Sequence, residues 1–209
     1  MANPFHNRKA QWATYVAFFG LLALIPVFMD DTFTVNLLAR FLVLGMLALS
    51  VSLVWGFGGI LSLGQGIAFG LAAYGMGMTM QMQAQDPESA PIPSFMLTNE
   101  LTQLPALWEP FWHTPTGIIL ALVVPTLFFL VFGALIFQAR LAGVFVAIVT
   151  LAMLSAWYSM AFDMQPYTAG FNGISPPNPL RLGDHVIDPY SNETFWIALA
   201  ILAATTLSL

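Results

Sequence analysis

The chain has 209 residues, 58% hydrophobic and only 7% charged, against about 25% charged in ordinary soluble domains, so an integral membrane protein is the direct reading. A net charge of −5 with only five Lys and Arg excludes a basic nucleic-acid groove. The absence of cysteine excludes disulfides and thiolate chemistry, and His6, His113 and His185 are too scattered for metal-ligand spacing, so no metal or cofactor is expected.

Residues 10–29 carry no charge, and neither do 41–85, 110–139, 141–162 and 194–209. A helix that crosses the hydrocarbon needs about 20 apolar residues. Spans are therefore predicted near 12–29, 34–55, 66–83, 117–137 and 143–162, with a sixth beginning at about Thr194. The fold class is all-α: a polytopic transmembrane helical bundle, one domain over residues 1–209.

Arg8 and Lys9 precede the first apolar run, as in a signal peptide. The run is long for one, and no small-x-small cleavage site follows it before Asp30. It reads as a retained first helix. With the N-terminus cytoplasmic, Arg8, Lys9 and Arg140 lie inside and Arg181 outside, in accord with the positive-inside rule. All ten acids then fall outside. Arg40 sits about two turns into the second span. It reads as snorkelling outward toward Asp30 or Asp31, with a functional intramembrane charge as the alternative.

The stretch from Trp55 to Gly77, "WGFGGILSLGQGIAFGLAAYGMG", contains eight glycines and no charge. Two spans need most of residues 41–85, which leaves little for a loop. A glycine-rich reversal around Gly56–Gly66 is therefore expected at or below the cytoplasmic interface. Non-helical backbone there must be buried in protein or line a wet cavity. Ser62 and Gln65 are expected to supply some of the missing hydrogen bonds. Beyond the reversal, Gly66, Gly70, Ala73 and Gly77 share one helical face of small residues. That pattern suits either close helix packing or a broken helix beside a transport path. The block lacks the Lys-Ser or Lys-Thr ending of a P-loop, so ATP hydrolysis by this chain is not expected.

Residues 84–114 hold five prolines and end in "LWEPFWHTP", whose Trp108, Phe111 and Trp112 suit an interfacial belt. A ligand platform is the sharper alternative. Residues 163–193 are also proline-rich, which forbids a long helix. Gly170, Asn172 and Gly173 within them favour a tight turn, either a plain one or one bordering a solute path.

"GFGGILSLGQGIAFGLAAYGMGM" resembles the glycine block of permease subunits in branched-chain amino acid ABC importers. Its "AYGMGM" ending is most similar to the urea-importer branch. "RLAGVFVAIVTLAM" from Arg140 and "AGFNGI" through Ile174 resemble later family segments, in family order, over roughly residues 34–175. The resemblance departs at Gln65, where members usually have histidine, and at Phe171, where they usually have threonine.

The resemblance implies a multi-pass permease subunit of the bacterial inner membrane, forming part of a path for urea. Branched-chain amino acids are the alternative solute. Ser62, Gln65 and Asn172 are the candidate path residues. The implied partners are a second permease subunit, ATP-binding subunits, a periplasmic substrate-binding protein and membrane lipid. Family members continue through further spans and a basic ATPase-docking segment, so the chain reads as truncated at its C-terminus. A truncated membrane protein without transport activity remains a rival. An intramembrane enzyme is another: Ser52, Ser62, Ser155, Ser159 and Thr150 lie in the spans, but no His, Asp or Glu accompanies them as a base.

Overall fold

A computed structural model describes residues 8–29, 31–85, 88, 91–140, 143–174 and 178–208. Its helices are α1 (Arg8–Phe28), α2 (Thr32–Gly58), α3 (Gln65–Gln83), α4 (Ser94–Thr98), α5 (Thr114–Gln138), α6 (Gly143–Asp163), α7 (Gln165–Thr168) and α8 (Asn192–Leu207). Two short strands, β1 (Leu180–Leu182) and β2 (His185–Ile187), form an antiparallel hairpin with Arg181 opposite Val186. Six helices thus fall on the six predicted spans. The chain is an all-α membrane bundle, and the hairpin is an addition that the proline-rich sequence did not announce.

Four helices, α1, α2, α5 and α6, are long and apolar enough to cross a membrane. The other two are different in kind. Helix α8 has 16 residues. Helix α3 has 19 and carries Gln65, Thr79, Gln81 and Gln83 among many glycines. Its buried residues include Ile67, Gly75, Met78, Thr79 and Met82. A helix this polar is unsuited to lipid contact, and here protein covers much of it.

The described residues divide into two compact units, one within Met1–Met46 and Asp188–Leu209, the other within Leu47–Ile187. In the first, α1 meets α8, and Phe195, Ala198, Leu199 and Leu202 of α8 are buried. Asn36 Nδ2 donates to Tyr190 O at 2.5 Å. Helix α2 starts after Asp31, whose Oδ1 accepts Phe33 N–H at 3.1 Å and whose Oδ2 accepts the Thr34 hydroxyl at 2.6 Å. These bonds occupy the carboxylate as a helix cap. The Thr34 hydroxyl first, and then the Phe33 N–H, hold it below the usual aspartate value. Arg40 is exposed. Asp30, its other expected acidic neighbour, lies outside the described residues.

In the second unit α3 packs chiefly against α5. The crossing is close because small residues meet. A Cβ built on Gly75 would stand 3.3 Å from Ala121 Cβ and 3.4 Å from Ala121 Cα. A Cβ on Gly117 would overlap the Thr79 hydroxyl. The segment before α5 folds over the far end of α3. Met78, Met82, Ile92, Met96, Trp108 and Phe111 make one buried cluster, with Trp112 packed against it. This corrects the expectation of an interfacial belt at "LWEPFWHTP". The physical reason is local: Met78 and Met82 leave an apolar end on α3 that the aromatic rings cover. Met side chains adapt readily to such partners.

The hairpin is tied to the same end of α3. Arg181 N–H donates to Gln83 Oε1 at 2.9 Å, and Gln83 Nε2 donates to Arg181 O at 3.0 Å. Thr114 adds to the junction, accepting from Gln83 Nε2 and donating to Arg181 O at 3.1 Å.

Candidate functional site

The reversal between α2 and α3 is shorter than its glycine content suggests, because Trp55–Gly58 continue α2. Gly59 ends the helix with φ +61°. That left-handed conformation costs glycine little and closes many helices. The Gly59 N–H still reaches Trp55 O at 3.0 Å. Residues 60–63 then run without regular structure into α3.

A side chain from α6 meets this stretch. Leu63 N–H donates to Thr150 Oγ1 at 3.0 Å. The same hydroxyl donates back along its own helix to Val146 O at 2.8 Å. Thr150 is 2% exposed, and a Cβ on Gly64 would lie 3.4 Å from its Cβ. One of the hydrogen bonds that this stretch needs is thus made by Thr150. The sequence offered Thr150 only as a hydroxyl in a span. A span threonine bonds the carbonyl one turn back and keeps a lone pair for a neighbour, and that was the available signal.

Ser62, Gln65 and Thr150 share a cavity of about 530 Å³, walled by Phe57, Phe129 and Phe132 among other apolar residues. Among the described residues, no Asp, Glu, Lys or Arg lines it. Gln65 Oε1 is buried, with no hydrogen-bond partner among the described residues. An orphaned buried acceptor costs about 1–3 kcal/mol, so this carboxamide is in tension with its surroundings until something donates to it.

Asn172 is elsewhere. It lies in a single 3₁₀ turn, Gly170–Asn172, and is exposed. Its N–H bonds Ala169 O at 3.2 Å, and Gly173 follows with φ +65°. The structure brings Ser62 and Gln65 together and leaves Asn172 apart from them. Of the small-residue face, Gly66 looks onto Leu154 and Gly70 onto Trp157, where built Cβ atoms would stand 3.1 and 3.5 Å away. Gly77 looks onto Ile174, at 3.6 Å, while Ala73 is exposed. At Gly75, two residues off that face, a built Cβ would instead meet backbone, 3.4 Å from Ala121 Cα.

Among the described residues no group of three or more His, Cys, Asp or Glu is placed to hold a metal ion. Residues 33–209 are similar to the family described as "Branched-chain amino acid transport system / permease component". No curated protein and no solved structure matches the chain.

Proposed function

Because the chain belongs to the branched-chain amino acid transport system permease family, a family of transporter components and not of enzymes, we propose that it lines part of the path of an ATP-driven importer and that the solute is urea. The observation that carries the solute is the uncharged cavity holding Ser62 and the unpartnered Gln65 Oε1. Urea offers N–H donors on two sides and one carbonyl acceptor. A donor from urea meets the Gln65 acceptor, and the Ser62 hydroxyl serves its carbonyl, with no ion to desolvate. The "AYGMGM" resemblance at the end of the glycine block supports the same solute.

Branched-chain amino acids are the second reading, favoured by the family's description and by the apolar cavity wall. Their zwitterion would bring two charges to a wall that has none to pair with them. Asn172 enters the proposal as a residue bordering the outer end of the path. Gly66 and Gly70 enter as the face that lets α6 approach α3, and Gly77 as the small residue against which Ile174 packs. ATP hydrolysis belongs to separate subunits, alongside a second permease and a periplasmic binding protein.

Uptake of labelled urea and labelled leucine in cells carrying the complete operon tests the solute. Urea uptake is expected to require this subunit and to fall about tenfold or more in Gln65→Leu, a loss of about 1.4 kcal/mol or more. Subunit-dependent leucine uptake without urea uptake overturns the choice of solute.

The proposed setting is the bacterial inner membrane with the N-terminus cytoplasmic, from the placement of Lys9 and Arg140. Cysteines introduced at Thr102 and Asp184 are then expected to react with a membrane-impermeant maleimide added to intact spheroplasts. Labelling only after the membrane is broken reverses the orientation.

A further inference from the structure

We propose that Arg40 of α2 holds the phosphate of an anionic phospholipid at one boundary of the membrane. Asp31, the acidic partner expected from the sequence, does not reach it. It stands nine residues back, about 13 Å along the axis and on the opposite side of the helix at about 100° per residue. Its oxygens are already engaged in capping α2. Among the described residues no carboxylate pairs with Arg40.

The helix fixes which way this side chain looks. Val35, Ala39 and Leu42 are the buried residues of α2, and they lie about 100–160° around the axis from Arg40. Phe33, Leu37 and Leu44 lie within about 60° of it and are 76%, 40% and 50% exposed. Arg40 itself is exposed. All seven residues belong to one compact unit. Arg40 thus stands in an apolar stripe on the side of α2 away from its packed face.

Its depth follows from charge. Residues 41–58 carry none and cover about 27 Å at 1.5 Å each, close to the roughly 30 Å of hydrocarbon. A guanidinium inside the hydrocarbon is costly. The charge-free stretch therefore takes the hydrocarbon, and Arg40 stands at its edge. Side chains on a helix lean toward its N-terminus, which here leads the guanidinium outward to the level of the lipid phosphates.

Charge also selects the lipid. A guanidinium matches a phosphate with two parallel N–H donors. A zwitterionic lipid would bring an ammonium as well, and Phe33, Leu37 and Leu44 offer no carboxylate to receive it. A lipid of single negative charge, such as phosphatidylglycerol, leaves a neutral pair with its acyl chain along Leu44. The proposal depends on neither the urea reading nor the orientation of the chain.

The chain has no cysteine, so Leu44→Cys can carry a single bimane label that keeps an apolar group at that position. The test is quenching of this label in bilayers by phosphatidylglycerol or phosphatidylcholine brominated on the acyl chains, which reads the lipid bound at this face alone. Phosphatidylglycerol is expected to bind about fivefold more strongly, the effect of one cation near an anionic lipid surface. Arg40→Gln is expected to abolish the preference. Arg40→Lys is expected to keep most of it, because an ammonium still pairs with phosphate. Both replacements fall at an exposed position and leave the packed face untouched. Equal binding of the two lipids with Arg40 in place overturns the proposal, and so does a preference that survives in Arg40→Gln. Weak quenching by both lipids also overturns it, because a protein segment, such as a second copy of the chain, would then cover the face.

Discussion

Gly117→Ala is expected to destabilise the protein by about 1–3 kcal/mol, the cost of forcing an extra methyl into a filled core. The added Cβ overlaps the Thr79 hydroxyl and stands 2.9 Å from Thr79 Cγ2 and 3.0 Å from Thr79 Cβ. Thr79 has little room to move. It is fully buried, and its hydroxyl donates to Gly75 O at 2.9 Å. Turning the side chain exchanges one overlapping atom for another. Helices α3 and α5 must then separate at the crossing that also holds Gly75 and Ala121. Thermal unfolding of the purified chain measures the loss. Thr79→Ala in the Gly117→Ala background removes both offending atoms and is expected to recover at least about half of it, since residues in contact couple strongly. A single variant as stable as the parent would show that the crossing is looser than its geometry.

Thr150→Val is the second large effect. Valine keeps the shape and removes the acceptor, so the Leu63 N–H loses the bond it makes at 3.0 Å. A stranded backbone donor costs about 1–3 kcal/mol. The consequence is local, because the lost bond is the tie from α6 to the stretch that leads into Gln65. Thr150→Ser keeps the hydroxyl and is expected to retain most of the parent's behaviour. If the path runs past Gln65, urea uptake falls about tenfold in the valine variant and is largely kept in the serine variant. Equal uptake in all three proteins would show that the reversal holds its shape without that bond.

The six helices were legible because charge-free runs of span length leave few alternatives. The reversal was legible as an event and blurred in extent. Gly56 and Gly58 look like turn residues in a sequence, yet they continue α2, because glycine weakens a helix without ending it. Only the residue that takes positive φ, Gly59, stops it. Which small residues make the close crossing was not legible. The repeated spacing at Gly66, Gly70 and Gly77 is visible by inspection. The contact at Gly75 depends on Phe111 and Ala121, about forty residues away. Thr150 was hidden for the same reason: its value lies in the bond to Leu63, 87 residues distant. The inward turn of Trp108 was hidden by its own chemistry, because an indole suits an interface and a core equally well.

The tie between Gln83 and Arg181 also bears on what the hairpin is unable to do. A two-stranded ribbon has two open edges, and each is a template for a further strand. On β1 the outward N–H and C=O belong to Arg181, and one side chain occupies both. A carboxamide has the donor and acceptor of a peptide unit, so Gln83 stands where a residue of a third strand would pair. Thr114 fills the remaining approach to Arg181 O. A neighbouring chain with an unpaired segment, as during insertion or crowding in the membrane, finds that rung of the ladder taken. The hairpin is thus closed to strand addition on the β1 side at Arg181, and the helix that lies at the centre of the second unit supplies the stopper.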